Sequence, residues 1–489
     1  MFQPNIVLIV ADCVRAQNMS IYGYDRDTTP MLKKIISNFV LYQNSISPSM
    51  WTLPSHASMF TSTYLSTHEL IKEGDKLKQS LITMAEILKR AGYVTIGFCR
   101  NPFVSNFTGL DRGFNIFYGY NNYKSYKTLL YELINERARR LRKISNNENI
   151  YKKINHNLNK QTYFLDNFKK TNIFKKIFWK VTEFSDKSAK KTNNMVYKTI
   201  NKIKKRPFFM FIHYNEAHIP YVIPKKYKEK FLDKNQKKIA WQVNQDHIKF
   251  YLQKIRMNKS DFLVLKSLYD GAINYLDKRI YDMFMYLKNK NLLDNTLFIV
   301  TSDHGENLGE HNLLFHLFSL YDTLIKVPLL IKYPDNKKFS NIDDRIVQNV
   351  DILPTILDLI GINDDYILNQ MEGNSLISSN IKNRDFEYGV SELMKPFGPS
   401  LLPYKNILKK YDERLICIRT KNEKYIHSSN KNHQLYDLKL DPNEQTNIYD
   451  KNMINMIELK NKLELWVNKF NNASEKYKNH LNDQFKEEN

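Results

Sequence analysis

Three apolar segments of this chain each run directly into polar residues, and this arrangement constrains its fold more than any other feature. The segments are Asn5–Ala11, which is followed by Asp12, and the later runs Phe208–His213 and Leu297–Thr301. Short continuous apolar runs are typical of parallel strands that are buried on both faces. Because ligands bind beyond the carboxyl ends of strands in open α/β sheets, the sequence predicts one shared site at that edge.

Segments with helical spacing alternate with these strands, which indicates a doubly wound sheet. Further strands are predicted at Val94–Phe98 and Val327–Tyr333, and helices at Leu81–Arg90 and Asp351–Ile360. The expected fold class is therefore α/β, with a mostly parallel sheet that carries helices on both faces.

Changes in composition along the 489 residues predict two units. The larger domain, which holds the predicted site, covers residues 1–375 and contains a basic helical insertion at about 120–205. The insertion reads most simply as a solvated helical cap, and a dedicated binding arm is the alternative. Residues 376–489 are predicted to form a small α+β subdomain that ends in an amphipathic helix at about 453–470.

The chain is basic, with 74 Lys and Arg against 51 Asp and Glu and a formal net charge of +23. This excess favours anionic partners or a membrane surface without identifying either. The abundance of Lys, Asn and Ile is equally consistent with an AT-rich genome. No specific nucleic-acid partner is predicted.

The cysteines Cys13, Cys99 and Cys417 lie far apart and match neither a disulfide framework nor a metal-binding pattern. They favour a reducing compartment. The chain begins without a basic segment, and no apolar stretch reaches the ~18 residues of a membrane span. We therefore expect a cytoplasmic protein without a signal peptide or transmembrane segment, with peripheral membrane association left open.

Candidate metal ligands follow the first and third of these strands. Asp12 alone could equally cap a helix, but the adjacent pair Asp303 and His304 can offer oxygen and nitrogen to one divalent ion. Gly305 permits a tight turn directly after that pair. A second element begins at Thr52, just before a predicted helix, where the helix amino end stabilises anions. A metal beside Thr52 would lower the cost of forming its alkoxide.

The order of these motifs resembles that of sulfatases and their relatives in the alkaline phosphatase superfamily. The matching segments, from Asn5 to about Leu376, are Asp12, Thr52–Ser55, His218–Tyr221, Ser302–Glu306, Val327–Leu329 and Asp351–Thr355. The late residues Leu435–Leu438, Asp441, Pro442 and Glu444 also look like the sulfatase pattern, which extends the resemblance into the small subdomain. The resemblance implies an alkaline phosphatase-like fold and a metal-dependent esterase.

The resemblance makes Asp12, Asp303 and His304 metal ligands, and it places Thr52 at the nucleophile position, where it also touches the metal. Sulfatases proper carry there a Cys or Ser that is oxidised to formylglycine. Threonine cannot become that aldehyde, and His56 stands at the position of the arginine in the recognition motif, so no formylglycine is expected.

The ligand set leaves the identity of the metal open. Cys13 replaces a second acidic ligand found in many sulfatases, which favours manganese, zinc or magnesium over calcium without excluding calcium. A second ion, held by Glu216, His218 and His316, is a further possibility.

A threonine nucleophile is also what phosphoethanolamine and phosphoglycerol transferases of the same superfamily use. The run Ser302–Glu310, followed by His316, is similar to that of the phosphoethanolamine transferases. Those enzymes are anchored by several membrane spans, whereas this sequence predicts none.

The resemblance implies that His218 and His316 face the anion and bind its oxygens or protonate the leaving oxygen. A structural hydrogen-bonding role is the alternative for each histidine. His56, Asn101 and Lys326 are the predicted substrate contacts, and a surface salt bridge is the alternative for Lys326.

Three functions are therefore weighed. The first is a metal-dependent hydrolase that cleaves sulfate or phosphate esters through Thr52. The second is a phosphoethanolamine- or phosphoglycerol-type transferase that acts on a glycan or lipid, and the third is a non-catalytic relative that binds anions. The expected partner is a sulfated or phosphorylated small molecule, glycan or lipid head group.

Overall fold

The structure is a computed structural model that describes residues 3–119, 189–203, 207–335, 340–377, 386–394, 401–450 and 453–469. Most of the insertion predicted at about 120–205 lies outside these residues. Its described end holds the helix Ala189–Ile200.

An eight-stranded sheet forms the centre of the molecule, with the strand order β10-β2-β9-β6-β1-β5-β3-β4. The strands of the described residues are β1 (Asn5–Ala11), β2 (Val40–Ile46), β3 (Val94–Phe98), β4 (Ile116–Tyr118), β5 (Phe208–Tyr214), β6 (Thr296–Thr301), β7 (Asn307–Leu308), β8 (Leu314–Phe315), β9 (Lys326–Lys332), β10 (Ile342–Gln348), β11 (Tyr388–Leu393), β12 (Leu415–Thr420), β13 (Glu423–Ser428) and β14 (Gln434–Asp437).

Strand β1 lies at the middle of this sheet and pairs in parallel with β5 on one side and β6 on the other. Strand β9 runs antiparallel to both of its neighbours, β2 and β6, whereas the other pairings are parallel. The prediction of a mostly parallel α/β sheet is confirmed.

Helices cover both faces of the sheet. The helices of the described residues are α1 (Pro30–Lys33), α2 (Thr52–Thr61), α3 (Leu65–His68), α4 (Met84–Arg90), α5 (Ala189–Ile200), α6 (Lys225–Lys228), α7 (Lys234–Ile239), α8 (His247–Tyr251), α9 (Lys259–Asn289), α10 (Asp322–Ile325), α11 (Ile352–Ile360), α12 (Asp365–Leu368) and α13 (Met453–Lys469). No helix in these ranges of the chain is both long enough and apolar enough to cross a membrane.

The side chains of β1 alternate between two hydrophobic cores, as expected for a strand that is buried on both faces. Val7 and Ile9 pack with residues of the 31-residue helix α9. Leu8 and Val10 face the opposite way and pack with residues of α2, α4 and α11. The site therefore forms at one end of a strand that is held rigidly from both sides.

A four-stranded antiparallel sheet, β11 to β14, and the helix α13 make up the carboxyl-terminal part of the described chain. Leu463 and Trp466 of α13 pack against that sheet and against Tyr64 of the larger part. Strand β11 also touches the segment that leads into α2, through an isolated bridge between Ser49 and Glu392. The predicted division of the chain at about residue 375 stays a prediction.

Candidate active site

The carboxyl ends of β1 and β6 bring Asp12, Asp303 and His304 together. Val10 of β1 pairs with Thr301 of β6, so the two chains leave the sheet side by side. His304 Nε2 lies 3.6 Å from Asp12 Oδ1 and 3.4 Å from Asp303 Oδ2. All three side chains are fully buried.

The orientation of His304 is fixed by its own backbone turn. Its Nδ1 donates a hydrogen bond to the Gly305 carbonyl at 2.8 Å, so the proton sits on Nδ1 and the lone pair of Nε2 faces the carboxylates. A Cβ on Gly305 would lie 2.0 Å from the Thr323 carbonyl oxygen. Glycine is therefore required at residue 305 for the chain to pass this close.

Thr52 is the first residue of α2, and its side chain reaches the same place. Its Oγ1 lies 3.3 Å from His304 Nε2 and accepts a hydrogen bond from Asn101 Nδ2 at 3.3 Å. The same Nδ2 donates to Asp12 Oδ2 at 3.2 Å. The free backbone amides at the start of a helix stabilise negative charge beside Thr52.

Asp12 and Asp303 share this buried space, and their surroundings shift the pKa of each. Burial and the proximity of Asp303 raise the pKa of Asp12 to about 7. Burial opposes ionisation of Asp303 as well, but the neighbouring imidazoles of His304 and His56 lower its pKa. Asp303 Oδ2 has no hydrogen-bond partner among the described residues. A divalent cation fits this donor set, because it would neutralise the carboxylates and occupy the free oxygen.

His213 is a residue of this site that the sequence analysis did not single out. It pairs with Val10, and Asp12 lies two residues beyond Val10, so both side chains point to the same face of the sheet. Its Nε2 lies 3.6 Å from Asp12 Oδ2. The available signal was its place at the end of the apolar run Phe208–His213. We call Asp12, His213, Asp303 and His304 the strand-end cluster.

His56 lies beneath the strand-end cluster and is fully buried. Its Nδ1 donates to the Thr52 carbonyl at 2.9 Å and lies 3.6 Å from Asp303 Oδ2. Its ring packs against the rings of Phe60, Phe211 and His213. The predicted substrate contact at His56 stays a prediction, and His56 is not among the residues that line the pocket in front of Thr52.

A pocket of about 280 Å³ opens in front of Thr52. Its lining includes Thr52, Asn101, His218 and His316, so four of the predicted catalytic or substrate-binding residues meet there. The remaining walls are largely apolar or aromatic and include Trp51, Phe103, Phe315 and His247. Trp51 packs edge-on against Phe103, and His247 stacks on Phe315 at 3.8 Å.

His316 and His218 form one side of the pocket, with ring centroids 5.1 Å apart. His316 Nδ1 lies 3.2 Å from Glu306 Oε1 and 3.7 Å from Cys13 Sγ. Burial lowers the pKa of His316 well below its ordinary value, and the rings of His304, His218 and His247 add to the effect. His316 is therefore neutral at pH 7 in the free protein.

The second-ion prediction is only partly reproduced by the geometry. Glu216 accepts a hydrogen bond from the backbone amide of Ala189 at 2.8 Å, at the start of α5. The group whose donor atoms lie close enough to share an ion combines His218 and His316 with Cys13 instead. Burial, followed by Asp12, raises the pKa of the Cys13 thiol well above its ordinary value, and this thiol donates to Asp12 Oδ1 at 3.1 Å.

Lys326, like His56, is a predicted substrate contact that does not line the pocket. It lies beside four buried charged residues at the boundary with the carboxyl-terminal sheet, which we call the interface charge cluster: Asp322, Arg419, Lys424 and Glu444. Burial lowers the pKa of Lys326, and Arg419 lowers it further. Lys326 is not among the residues that line the pocket.

Two family models of known proteins together match residues 4–471 of this chain. The family model described as Sulfatase covers residues 4–362, and the model described as N-sulphoglucosamine sulphohydrolase, C-terminal, covers residues 309–471. An arylsulfatase of Clostridium perfringens is 25% identical over 91% of this chain and 90% of its own length. An N-acetylglucosamine-6-O-sulfatase of Bacteroides thetaiotaomicron is 22% identical over 92% of this chain and 83% of its own. The crystal structure of a phosphonate monoester hydrolase of Agrobacterium radiobacter superposes with a TM-score of 0.69 at 18% identity, covering 95% of each chain.

Proposed function

We propose that this chain, which belongs to the sulfatase family and is a sulfuric or phosphoric ester hydrolase, uses Thr52 as its nucleophile and depends on a divalent cation. The observation that carries the proposal is the position of the Thr52 hydroxyl. It stands at the start of α2, 3.3 Å from His304 Nε2, and it opens onto the pocket.

Asp12, Asp303 and His304, with the Thr52 hydroxyl, would hold the cation. When bound, a divalent cation lowers the pKa of a coordinated hydroxyl and neutralises charge on the oxygens of the ester. The Asn101 amide and the amides at the start of α2 would orient the ester group by hydrogen bonds to its oxygens.

In the first half of the reaction, Thr52 Oγ1 attacks the sulfur or phosphorus in line with the leaving oxygen. The Thr52 oxygen bond forms as the bond to the leaving oxygen breaks, and the departing alkoxide takes a proton from His316 or His218. An anionic ester in the pocket raises the pKa of the buried His316 imidazole, which favours the protonated form needed for this step.

In the second half, the threonine ester is resolved by water. The imidazole that gave up its proton is now neutral and can accept a proton from that water as it attacks. The bond between Thr52 Oγ1 and the sulfur or phosphorus breaks as the water oxygen bonds, sulfate or phosphate leaves, and Thr52 takes back from solvent the proton that its hydroxyl released to solvent before the attack. The cycle balances without any other reactant.

The pocket supports a compact ester with a ring as its leaving group. Aromatic walls such as Trp51, Phe103 and Phe315 suit the face of an aryl or sugar ring, and a volume of about 280 Å³ matches a group of that size. We therefore infer a sulfated sugar unit or small aryl ester as the first substrate class.

Phosphoryl transfer is the second candidate, and the identity of residue 52 favours it. A threonine cannot be converted to formylglycine, whereas a threonine hydroxyl can form a phosphate ester directly. On this alternative the substrate is a phosphate or phosphonate ester, and an alcohol of a glycan or lipid could replace water as the acceptor.

The test compares the turnover of an aryl sulfate, an aryl phosphate monoester and an aryl phosphodiester by the wild type and by Thr52→Val. Valine keeps the shape of threonine but removes the hydroxyl. We expect at least a ~10³-fold loss of kcat on the ester that is turned over, and a covalent adduct on the Thr52 peptide of the quenched wild type.

The matched control is Thr61→Val, at the other end of the same helix, where the hydroxyl bonds only to the Ala57 carbonyl and to Thr63. Its turnover should stay near that of the wild type. Full turnover by Thr52→Val would contradict the proposed nucleophile. Formation of a transfer product with an added alcohol would favour the transferase candidate.

A further inference from the structure

We propose that His213 is a fourth protein ligand of the cation, which binds through Nε2 together with Asp12, Asp303 and His304. This inference rests on the proposed function, because it concerns the same cation. It assigns a role to a residue that the mechanism leaves unused. It also predicts a nitrogen-rich site that selects zinc or another transition metal over calcium.

The first observation is that His213 is buried without hydrogen-bond partners. Its side chain is 2% exposed, and neither Nδ1 nor Nε2 has a partner among the described residues. Buried polar groups are normally paired, and those that are not call for a specific explanation.

The second observation is the spacing of the donor atoms. His213 Nε2 lies 3.6 Å from Asp12 Oδ2, while Asp12 Oδ1 lies 3.6 Å from His304 Nε2. Asp303 Oδ2 completes the group at 3.4 Å from His304 Nε2. Ligand atoms at about 2.0–2.2 Å from a tetrahedral zinc stand roughly 3.3–3.6 Å from one another. These three pairs therefore have the spacing of two ligands on one ion, and the donor atoms of His213 and Asp303 lie within 4.8 Å of each other.

His56 and Cys13 lie close by, but His56 Nδ1 and Cys13 Sγ, the atoms near the carboxylates, already donate hydrogen bonds, whereas His56 Nε2 has no partner among the described residues. His56 Nδ1 carries the proton that it donates to the Thr52 carbonyl. The Cys13 thiol donates to Asp12 Oδ1. His213 is the neighbour whose lone pair faces the carboxylates without a competing partner.

Two imidazoles and two carboxylates are a poor set for calcium, which takes six to eight oxygen ligands. Imidazole nitrogen suits zinc and other transition metals. We therefore expect zinc or manganese to bind more tightly than calcium.

The decisive measurement is X-ray absorption at the zinc edge of the zinc-loaded wild-type protein. Outer-shell scattering counts the imidazoles on the metal. Two or more imidazoles support the inference, because His304 alone supplies one. A single imidazole overturns it while leaving the proposed cation site intact, and a protein that takes up no cation overturns both.

A variant gives an independent test by calorimetric titration with zinc and calcium. His213→Gln should weaken zinc binding by ~10-fold or more and calcium binding by less than ~3-fold. The control is His68→Gln, since His68 is equally buried but bonds to Ser58 and to the Leu70 amide. Zinc affinity of His213→Gln within ~3-fold of the wild type would contradict the assignment. If His213→Gln does not fold, the absorption measurement on the wild type still decides.

Discussion

The strand-end cluster and the interface charge cluster are both buried and both contain two carboxylates, but they balance charge differently. In the interface charge cluster, Asp322 accepts hydrogen bonds from the Arg419 guanidinium at 2.9–3.1 Å. Lys424 Nζ lies 2.5 Å from Asp322 Oδ1 and 2.6 Å from Glu444 Oε1. Two cations thus face two anions within the protein.

The strand-end cluster contains no such cation. Its carboxylates face imidazoles at 3.4–3.6 Å, one carboxylate oxygen has no hydrogen-bond partner among the described residues, and both nitrogens of His213 are likewise unpartnered. The comparison separates two uses of buried charge. The charges of the interface charge cluster balance within the protein, whereas the strand-end cluster leaves unpartnered donor atoms for the proposed cation.

The largest effect is expected for Asp303→Asn, which removes one carboxylate from the strand-end cluster. We predict loss of cation binding and at least a ~10⁴-fold fall in kcat, since a ligand and its charge are both lost. In the presence of a chelator, however, the variant should be at least as stable as the wild type, because Asp12 and Asp303 no longer repel each other. Metal analysis, turnover and denaturant unfolding measure the three quantities.

Asp277→Asn provides the control for this first variant. Asp277 is also buried, but it accepts hydrogen bonds from the amides of Met31 and Leu32 at 2.8 and 2.7 Å. It should lose stability and keep its metal. If Asp303→Asn and Asp277→Asn are equally destabilised in chelator, the carboxylates of the strand-end cluster do not repel each other as the comparison requires.

The next largest effect is expected for Asp322→Ala, which removes one carboxylate from the interface charge cluster. Arg419 loses its carboxylate partner in a buried position, and we expect unfolding free energy to fall by about 3–5 kcal/mol. Cation affinity should not change. Asp344→Ala is the surface control, because the pair between Asp344 and Lys421 is more than half exposed on both sides and should contribute little.

The smallest effect is expected for the ion pair between Arg15 and Glu310. Glu310 accepts two hydrogen bonds from Arg15 at 2.9 and 3.0 Å. Burial opposes its ionisation, but the guanidinium lowers the pKa of Glu310 to about 2. Since the folded pKa lies below the unfolded value of about 4.5, the pair stabilises the protein above that pH. This contribution is lost as the pH falls from about 4.5 to 2.

We therefore expect acid titration of the unfolding free energy to lose on the order of 2 kcal/mol over that window through this pair. Glu310→Gln should lack this part of the pH dependence. Glu458→Gln, which removes an exposed pair with Lys462, should retain it. An unchanged slope in Glu310→Gln would show that Arg15 does not stabilise the ionised carboxylate.

The sequence predicted the strands of the sheet because they depend on local patterns, whereas the ligand roles of Asp12, Asp303 and His304 stay predictions. The bounds of β1 were predicted in full, and those of β5 and β6 to within one residue, since apolar runs end abruptly at polar residues. The helix expected from Leu81 begins only at Met84, because Thr83 and Glu86 form a reciprocal cap that sets its start.

The remaining features depend on distant partners. His213 joins the site because β1 lies between β5 and β6, and no local pattern gives that strand order. Lys326 lies beside the interface charge cluster, and no local pattern shows this because Arg419 and Lys424 come from strands almost a hundred residues later in the chain. The sequence also does not predict that β9 is antiparallel, because an apolar run is expected for a buried strand of either direction.

The bridge between Ser49 and Glu392 has a consequence for the synthesis of the protein. The Ser49 hydroxyl bonds to the Glu392 carbonyl at 3.1 Å across 343 residues, and the Glu392 amide bonds to the Pro48 carbonyl at 3.0 Å. At ~5–20 residues per second, a ribosome needs roughly 20 to 70 s to reach Glu392 after Ser49. The segment leading to Thr52 therefore gains this support only after Glu392 has been synthesised, and a nascent chain halted earlier lacks both hydrogen bonds.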